Sequence, residues 1–115
     1  MPSRTPHKLR LIFSTASSAE QAASIARTLV SERLAACVNI VGPMRSIYRW
    51  RDAIEDAREF LLIIKTRATL YIKVEKRIRE LHTYGVTEVI SSNIDRASPP
   101  YAKWMLESTG PPRKK

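Results

Sequence analysis

Residues 35–66, AACVNIVGPMRSIYRWRDAIEDAREFLLIIKT, decide the fold. AACVNIV reads as a strand that Gly42-Pro43 interrupts. Proline has no amide hydrogen for a ladder and glycine weakens a strand, so the pair marks a bulge or bend within one long strand. RSIYRW resumes the pattern with Ser46, Tyr48 and Trp50 on one side. RDAIED carries a polar turn, and REFLLIIKT then supplies Phe60 to Ile64 as an unbroken apolar run, the pattern of a central strand covered on both faces. The two strands make one hairpin, longer than a domain of 115 residues needs.

Upstream, KLRLIFST (8–15) places Leu9, Leu11 and Phe13 at period two, and SSAEQAASIARTLVSERL (17–34) places Ala22, Ile25, Ala26, Leu29 and Leu34 on roughly one helical face. Ser17 or Ser18 supplies the capping oxygen, and the alanines let this helix approach a sheet closely. Downstream, RATLYIKVEKRIRELH (67–82) has Tyr71, Val74, Ile78 and Leu81 at helical spacing, with Thr69 as its expected cap. TEVISSNID (87–95) reads as a short strand, and SPPYAKWMLEST (98–109) as a last helix with proline in its first turn, ending at Gly110-Pro111.

The order β-α-β-β-α-β with an added C-terminal helix predicts an α+β fold, a ferredoxin-like sandwich of a four-stranded antiparallel sheet with both helices on one face. Helices then cover one side only, yet residues 60–64 are apolar throughout. The open face therefore meets something hydrophobic, and self-association is the simplest partner.

The length fits a single domain, with the flexible basic tails expected at 1–8 and 110–115. Cys37 is the only cysteine, so no disulfide can close within the chain, and folding needs no metal or other cofactor. The N-terminal MPSRTPHKLR is followed by too short an apolar run for a signal peptide or a membrane span, which predicts a cytoplasmic protein with no membrane association. Of the net charge of +9, six positive charges sit near the ends, in Arg4, Lys8, Arg10, Arg113, Lys114 and Lys115. That distribution reads as solvated tails, and specific nucleic-acid binding is not expected. Glycine-rich phosphate loops, nucleophile elbows and serine-histidine-aspartate arrangements are absent from the sequence, so no enzyme is expected.

Four segments carry a resemblance. ERLAACVNI, SIYRW followed by AIEDAREFLLIIKT, ELHTYGVTEVI and YAKWMLEST resemble, in that order and at similar separations, the CutA family of divalent-cation tolerance proteins, over residues 9–109. The resemblance implies a ferredoxin-like fold assembled as a homotrimer like that of the PII signalling proteins, with the long hairpins pairing between subunits. It also implies a role in tolerance of copper and other divalent metal ions, with copper binding, and no established reaction.

The candidate metal ligands are Cys37, His82 and Glu88. A thiolate suits Cu(I) or Zn(II) and a neutral imidazole binds most transition ions. Against this, a lone strand cysteine is usually a small buried hydrophobe, and a histidine ending a helix interacts well with its exposed carbonyls. Within ELHTYGVTEVI, Thr83 and Thr87 stand where the family usually has prolines and Gly85 where it has glutamate, which predicts a loosened loop. Tyr84 and Lys65 are the candidate contacts for a small ligand. With Arg67, Lys65 motivates an alternative, a PII-like signalling or scaffold protein holding a small anion in inter-subunit clefts. Tyr48, Trp50 and Trp104 are read as core or trimer-interface anchors. Glu55, Asp56 and Glu59, beside Arg49, Arg51 and Arg58, are read as salt-bridged hairpin surface, with weak cation binding as the alternative.

Overall fold

The computed structural model describes residues 8–112, and the expected tail residues 1–7 and 113–115 lie outside them. The elements are β1 (Leu9–Ala16), α1 (Ala19–Ser31), β2 (Cys37–Trp50), β3 (Ala53–Arg67), a 3-10 turn (Ala68–Leu70), α2 (Tyr71–Leu81), β4 (Ile90–Asn93) and α3 (Pro99–Glu107). All sheet pairings are antiparallel, in the order β2-β3-β1-β4.

Ser18 caps α1 by accepting from the Gln21 amide at 3.0 Å, as expected. The cap expected at Thr69 is not made. Thr69 lies inside the 3-10 turn, α2 starts after Leu70, and no side chain caps it. Leu70, which precedes its first turn, is buried in the core. Both helices lie on one face, where Ala22, Ile25, Leu29, Val74 and Ile78 pack on Ile12, Leu62 and Ile64. Burial of each such large aliphatic contributes about 1.5–3 kcal/mol before entropy is counted.

α3 crosses to the opposite face at one end of the sheet, where Met105 packs on Leu9 and Ala36. Two guanidinium groups bind its C-terminal carbonyls. Arg67 donates to Leu106 O and Thr109 O, and Arg33 donates to Glu107 O and Gly110 O. Gly110 is thus tied down by Arg33, which also accepts its amide, rather than opening a tail. Arg10, counted with the basic N-terminal charges, is likewise inside β1, bonded to Ser91 and over the Tyr71 ring.

The bulge falls where the sequence placed it. β2 and β3 pair Val41 with Leu61 and then Met44 with Glu59, so β2 spends one extra residue. Because side chains alternate strictly along a strand, that residue flips the facing of everything after it. Met44, Ser46, Tyr48 and Trp50 therefore share with Cys37 and Asn39 the face opposite α1 and α2. β1 stops at the level of Phe60, so residues 53–59 of β3 pair with β2 alone. They form a free two-stranded arm roughly 23 Å long at about 3.3 Å per residue.

Candidate functional site

Where the arm leaves the sheet, the face opposite α1 and α2 is hollowed into a groove of about 740 Å³. Its floor is Thr15, Glu59 and Leu61, one wall is Met44 to Trp50, and the other is the loop from Tyr84 to Glu88. Glu59 alternates with Leu61 and Ile63 on this face, which carries its carboxylate inward to 8% exposure. The Tyr84 hydroxyl donates to Glu59 Oε2 at 3.1 Å. Burial and the neighbouring Glu59 carboxylate hold the Tyr84 phenol above its ordinary pKa, so it stays a proton donor. Glu88 is also pushed above the usual carboxylate range, first by desolvation at the groove wall and then by the Glu59 charge. Two carboxylates thus converge on a groove that no lysine or arginine lines.

The wall formed by residues 82–89 is anchored at its two ends. His82 Nε2 donates to Thr15 O at 2.6 Å, while its Nδ1 accepts the Tyr84 amide at 3.1 Å. The carbonyl accepts only and the amide donates only, so the partners select the neutral Nε2–H tautomer. Thr83 Oγ1 accepts from Gln21 Nε2 at 3.0 Å, a tether to α1 that a proline at this position has no group to make. Tyr71 donates to Val89 O at the far end. Gly85 has a negative φ and open space around its Cβ position, so neither backbone nor packing demands glycine there.

The expected site residues divide between two ends of the sheet. Tyr84 and Glu88 line the groove, as do Tyr48 and Trp50. His82 braces it, with both ring nitrogens engaged. Cys37 stands opposite Lys65, six residues along β3 from Glu59, a separation of roughly 20 Å. Its thiol is half-buried, 3.8 Å from Asn39 Oδ1. Lys65 Nζ lies over the Tyr101 ring at 5.8 Å, and Tyr101 packs on Trp104 with ring centroids 5.2 Å apart. Cys37, His82 and Glu88 are therefore not brought together, and among the described residues no group of three His, Cys, Asp or Glu side chains could hold a metal ion within one chain. Tyr48, Trp50 and Trp104 keep 40% or more of their surface, so in the single chain they are not core.

Glu59 is the residue the sequence reading placed wrongly. The sequence groups it with Glu55 and Asp56 as salt-bridged surface, yet of these three only Asp56 makes an ion pair, with Arg45 at 2.7 Å. The signal was its phase, because Glu59 leads the Leu61, Ile63 alternation into the sheet.

A sequence profile described as "CutA1 divalent ion tolerance protein" matches residues 10–108. The chain is 41% identical over 100 residues to "Divalent-cation tolerance protein CutA" of Thermus thermophilus, covering 87% of this chain and 97% of that one. It is 38% identical over 104 residues to "Protein CutA" of Mus musculus, covering 90% of this chain but 59% of the longer mouse protein. The crystal structure of CutA1 from Oryza sativa superposes with a TM-score of 0.88 at 35% identity, covering 92% of this chain and 97% of that one.

Proposed function

The chain belongs to the CutA1 divalent ion tolerance family, and on that premise we propose that it acts as a cytoplasmic homotrimer that binds divalent cations, copper among them, rather than as an enzyme. The observation that supports cation binding is the convergence of Glu59 and Glu88 on a groove without a basic residue. In a chain of net charge +9, that groove is a local well for positive charge. Cys37 is the soft-ligand candidate, on the sheet face that a trimer brings together, and a copper site there takes its thiolates from more than one copy. His82 acts by position, holding Tyr84 against Glu59, since both of its nitrogens are used.

Calorimetric titration of Cu(II) and Zn(II) into the metal-free protein tests this reading, repeated with Cys37→Ser, Glu88→Gln and His82→Ala. Binding tighter than about millimolar, reduced by at least one of the first two substitutions, is expected. Its absence in the parent protein would refute the reading. The anion-binding alternative draws less support. Arg67 is committed to α3 and Lys65 to Tyr101, and neither lines the groove.

A further inference from the structure

We propose that the corner of the fold where the chain enters and leaves binds the phosphate backbone of a nucleic acid, without preference for base sequence. The basic residues near the two ends are far apart in the sequence, and the fold brings both ends to Arg67. Leu9 pairs with Arg67 across β1 and β3, and Lys8 O accepts the Ala68 amide at 2.8 Å. The Arg67 guanidinium then reaches the end of α3, where Nε donates to Thr109 Oγ1 at 2.9 Å and Nη2 to the carbonyls of Leu106 and Thr109. Arg33 closes the corner. It donates to Gly110 O at 2.6 Å and accepts the Gly110 amide on its own carbonyl at 2.8 Å. The peptide links from Lys8 back to residues 1–7 and from Pro112 on to residues 113–115 therefore both start here.

Positive charge is what the corner concentrates. Lys8, Arg33 and Arg67 belong to the fold at this point, and Arg4 and residues 113–115 follow from it by chain continuity. Seven of the 20 Lys and Arg are thus gathered, which leaves 13 against 11 Asp and Glu over the rest of the chain, close to balance. The carboxylates nearest along the chain are engaged with other bases. Glu32 pairs with Arg77 at 2.9 Å, Asp95 with Arg96 at 3.9 Å and Glu107 with Lys103 at 4.0 Å. Arg33 and Arg67 hold neutral carbonyls and a hydroxyl, so their donors are used while their charge is not cancelled. The C-terminus of α3 offsets only about half an elementary charge. Being half-buried, the two guanidinium groups are screened less than free ones and form a fixed positive floor beside the exposed Lys8.

The chemistry of the corner selects its partner. Closely spaced phosphates gain most from such a cluster, because each one neutralised releases a condensed counterion. Lysine and arginine at chain ends read charge rather than base edges, which is why no sequence preference is expected. A lipid surface is held best where apolar anchors adjoin the bases. Here the exposed described neighbours are Pro111 and Pro112, while Tyr101 is packed on Trp104 and under Lys65. The corner also stands clear of the proposed assembly and of the acidic groove. Glu59 lies eight residues from Arg67 along β3, roughly 26 Å away and well beyond the Debye length of about 8 Å at physiological salt. A copy seated on the arm occupies that far end. The mouse relative, 59% covered, carries extra chain beyond the matched domain, and chain added at either end departs from this corner. Cation binding in the groove and polyanion binding at the corner are therefore compatible.

The test follows the anisotropy of a fluorescent single-stranded DNA of about 20 nucleotides and random sequence, titrated with the protein at about 50 mM and about 200 mM NaCl. Micromolar affinity at the lower salt, weakened at least about tenfold at the higher, is expected. Two variants of equal net charge locate the contact. Lys8→Gln combined with Arg113→Gln, Lys114→Gln and Lys115→Gln leaves Arg33 and Arg67 in place and should weaken binding at least about tenfold. Arg27→Gln, Lys73→Gln, Lys76→Gln and Arg79→Gln together remove the same charge from the exposed face of α1 and α2 and should weaken it less than about threefold. Both variants should keep the circular dichroism spectrum of the parent. Equal losses in the two variants would reduce the effect to net charge and overturn the proposal. So would affinity that does not fall with salt, no saturation by about 100 μM protein at the lower salt, or tighter binding to vesicles of about 30% phosphatidylserine in phosphatidylcholine than to the DNA.

Discussion

At the scale of single residues, Glu88 carries the most direct consequence. Its carboxyl is held above the ordinary range in the folded chain, so the native state keeps a proton that the unfolded state has lost. Stability must then fall as pH rises from the unfolded carboxylate pKa through the folded one, and the loss is complete above both. Glu88→Gln removes that loss. The variant should be more stable than the parent at pH 7, by less than about 1 kcal/mol because the side chain reaches solvent, and should show no advantage near pH 3.5. Urea unfolding at the two pH values checks this, and a variant less stable at pH 7 would show that the carboxylate is satisfied in some other way. Residues were legible in the sequence where one neighbour determined them. The cap is narrowed by local chain to Ser17 or Ser18, and the structure selects Ser18. The partners of Glu59 and His82 are not legible locally, because Tyr84 and Thr15 lie 25 and 67 positions away.

At the scale of elements, the hairpin of β2 and β3 is specified at two points, and they respond oppositely to substitution. At the bulge, a Cβ on Gly42 would stand 2.7 Å from Phe60 Cδ2 and 3.1 Å from Glu59 O. Gly42→Ala should therefore cost about 1–3 kcal/mol, through displacement of Phe60 and of the strand that places Glu59. At the tip, Arg51 and Asp52 form a two-residue turn with φ of 48° and 65°. Left-handed conformations at both central positions define the turn type whose twist fits a hairpin, and glycine is the residue that adopts them freely. Asp52→Gly should thus stabilise by about 0.5–1 kcal/mol. Thermal unfolding of the two variants side by side measures the contrast, and destabilisation by Asp52→Gly would mean that the aspartate contributes an interaction beyond the turn. Both points were visible in the sequence as Gly-Pro and as a polar break between strands. The short β4 is less so, because Thr87, Glu88 and Val89 read as strand but lie outside the ladder, which starts at Ile90, and Val89 O accepts instead from the Tyr71 hydroxyl of α2.

At the scale of the whole molecule, the arm poses a question that a single chain does not answer. Tyr48 and Trp50 project from one of its faces and Ile47 and Ile54 from the other, the isoleucines 64% and 69% exposed. With extents of 51 × 31 × 22 Å, the chain is elongated by this arm. An apolar ribbon uncovered on both faces is a surface that water disfavours and that soluble monomers rarely keep. The unbroken apolar run of residues 60–64 anticipated half of this. Phe60, Leu62 and Ile64 are buried by the helices, while Leu61 and Ile63 face the open side. The arm's own two-faced character was harder to read, because alternating Arg45, Arg49 and Arg58 dilute it in sequence. A closed ring of three copies covers such arms by seating each on the neighbouring subunit, which is the assembly proposed above. Ile54→Lys tests it without touching the fold of one chain, since Ile54 makes no core contact there. The parent should sediment as a species of three 13.1 kDa chains at micromolar concentration. The variant should shift towards monomer by at least about tenfold in its dissociation constant, with an unchanged circular dichroism spectrum. A monomeric parent would refute the trimer, and a variant as firmly trimeric as the parent would move the interface away from the arm tip to the Tyr101–Trp104 end of the sheet.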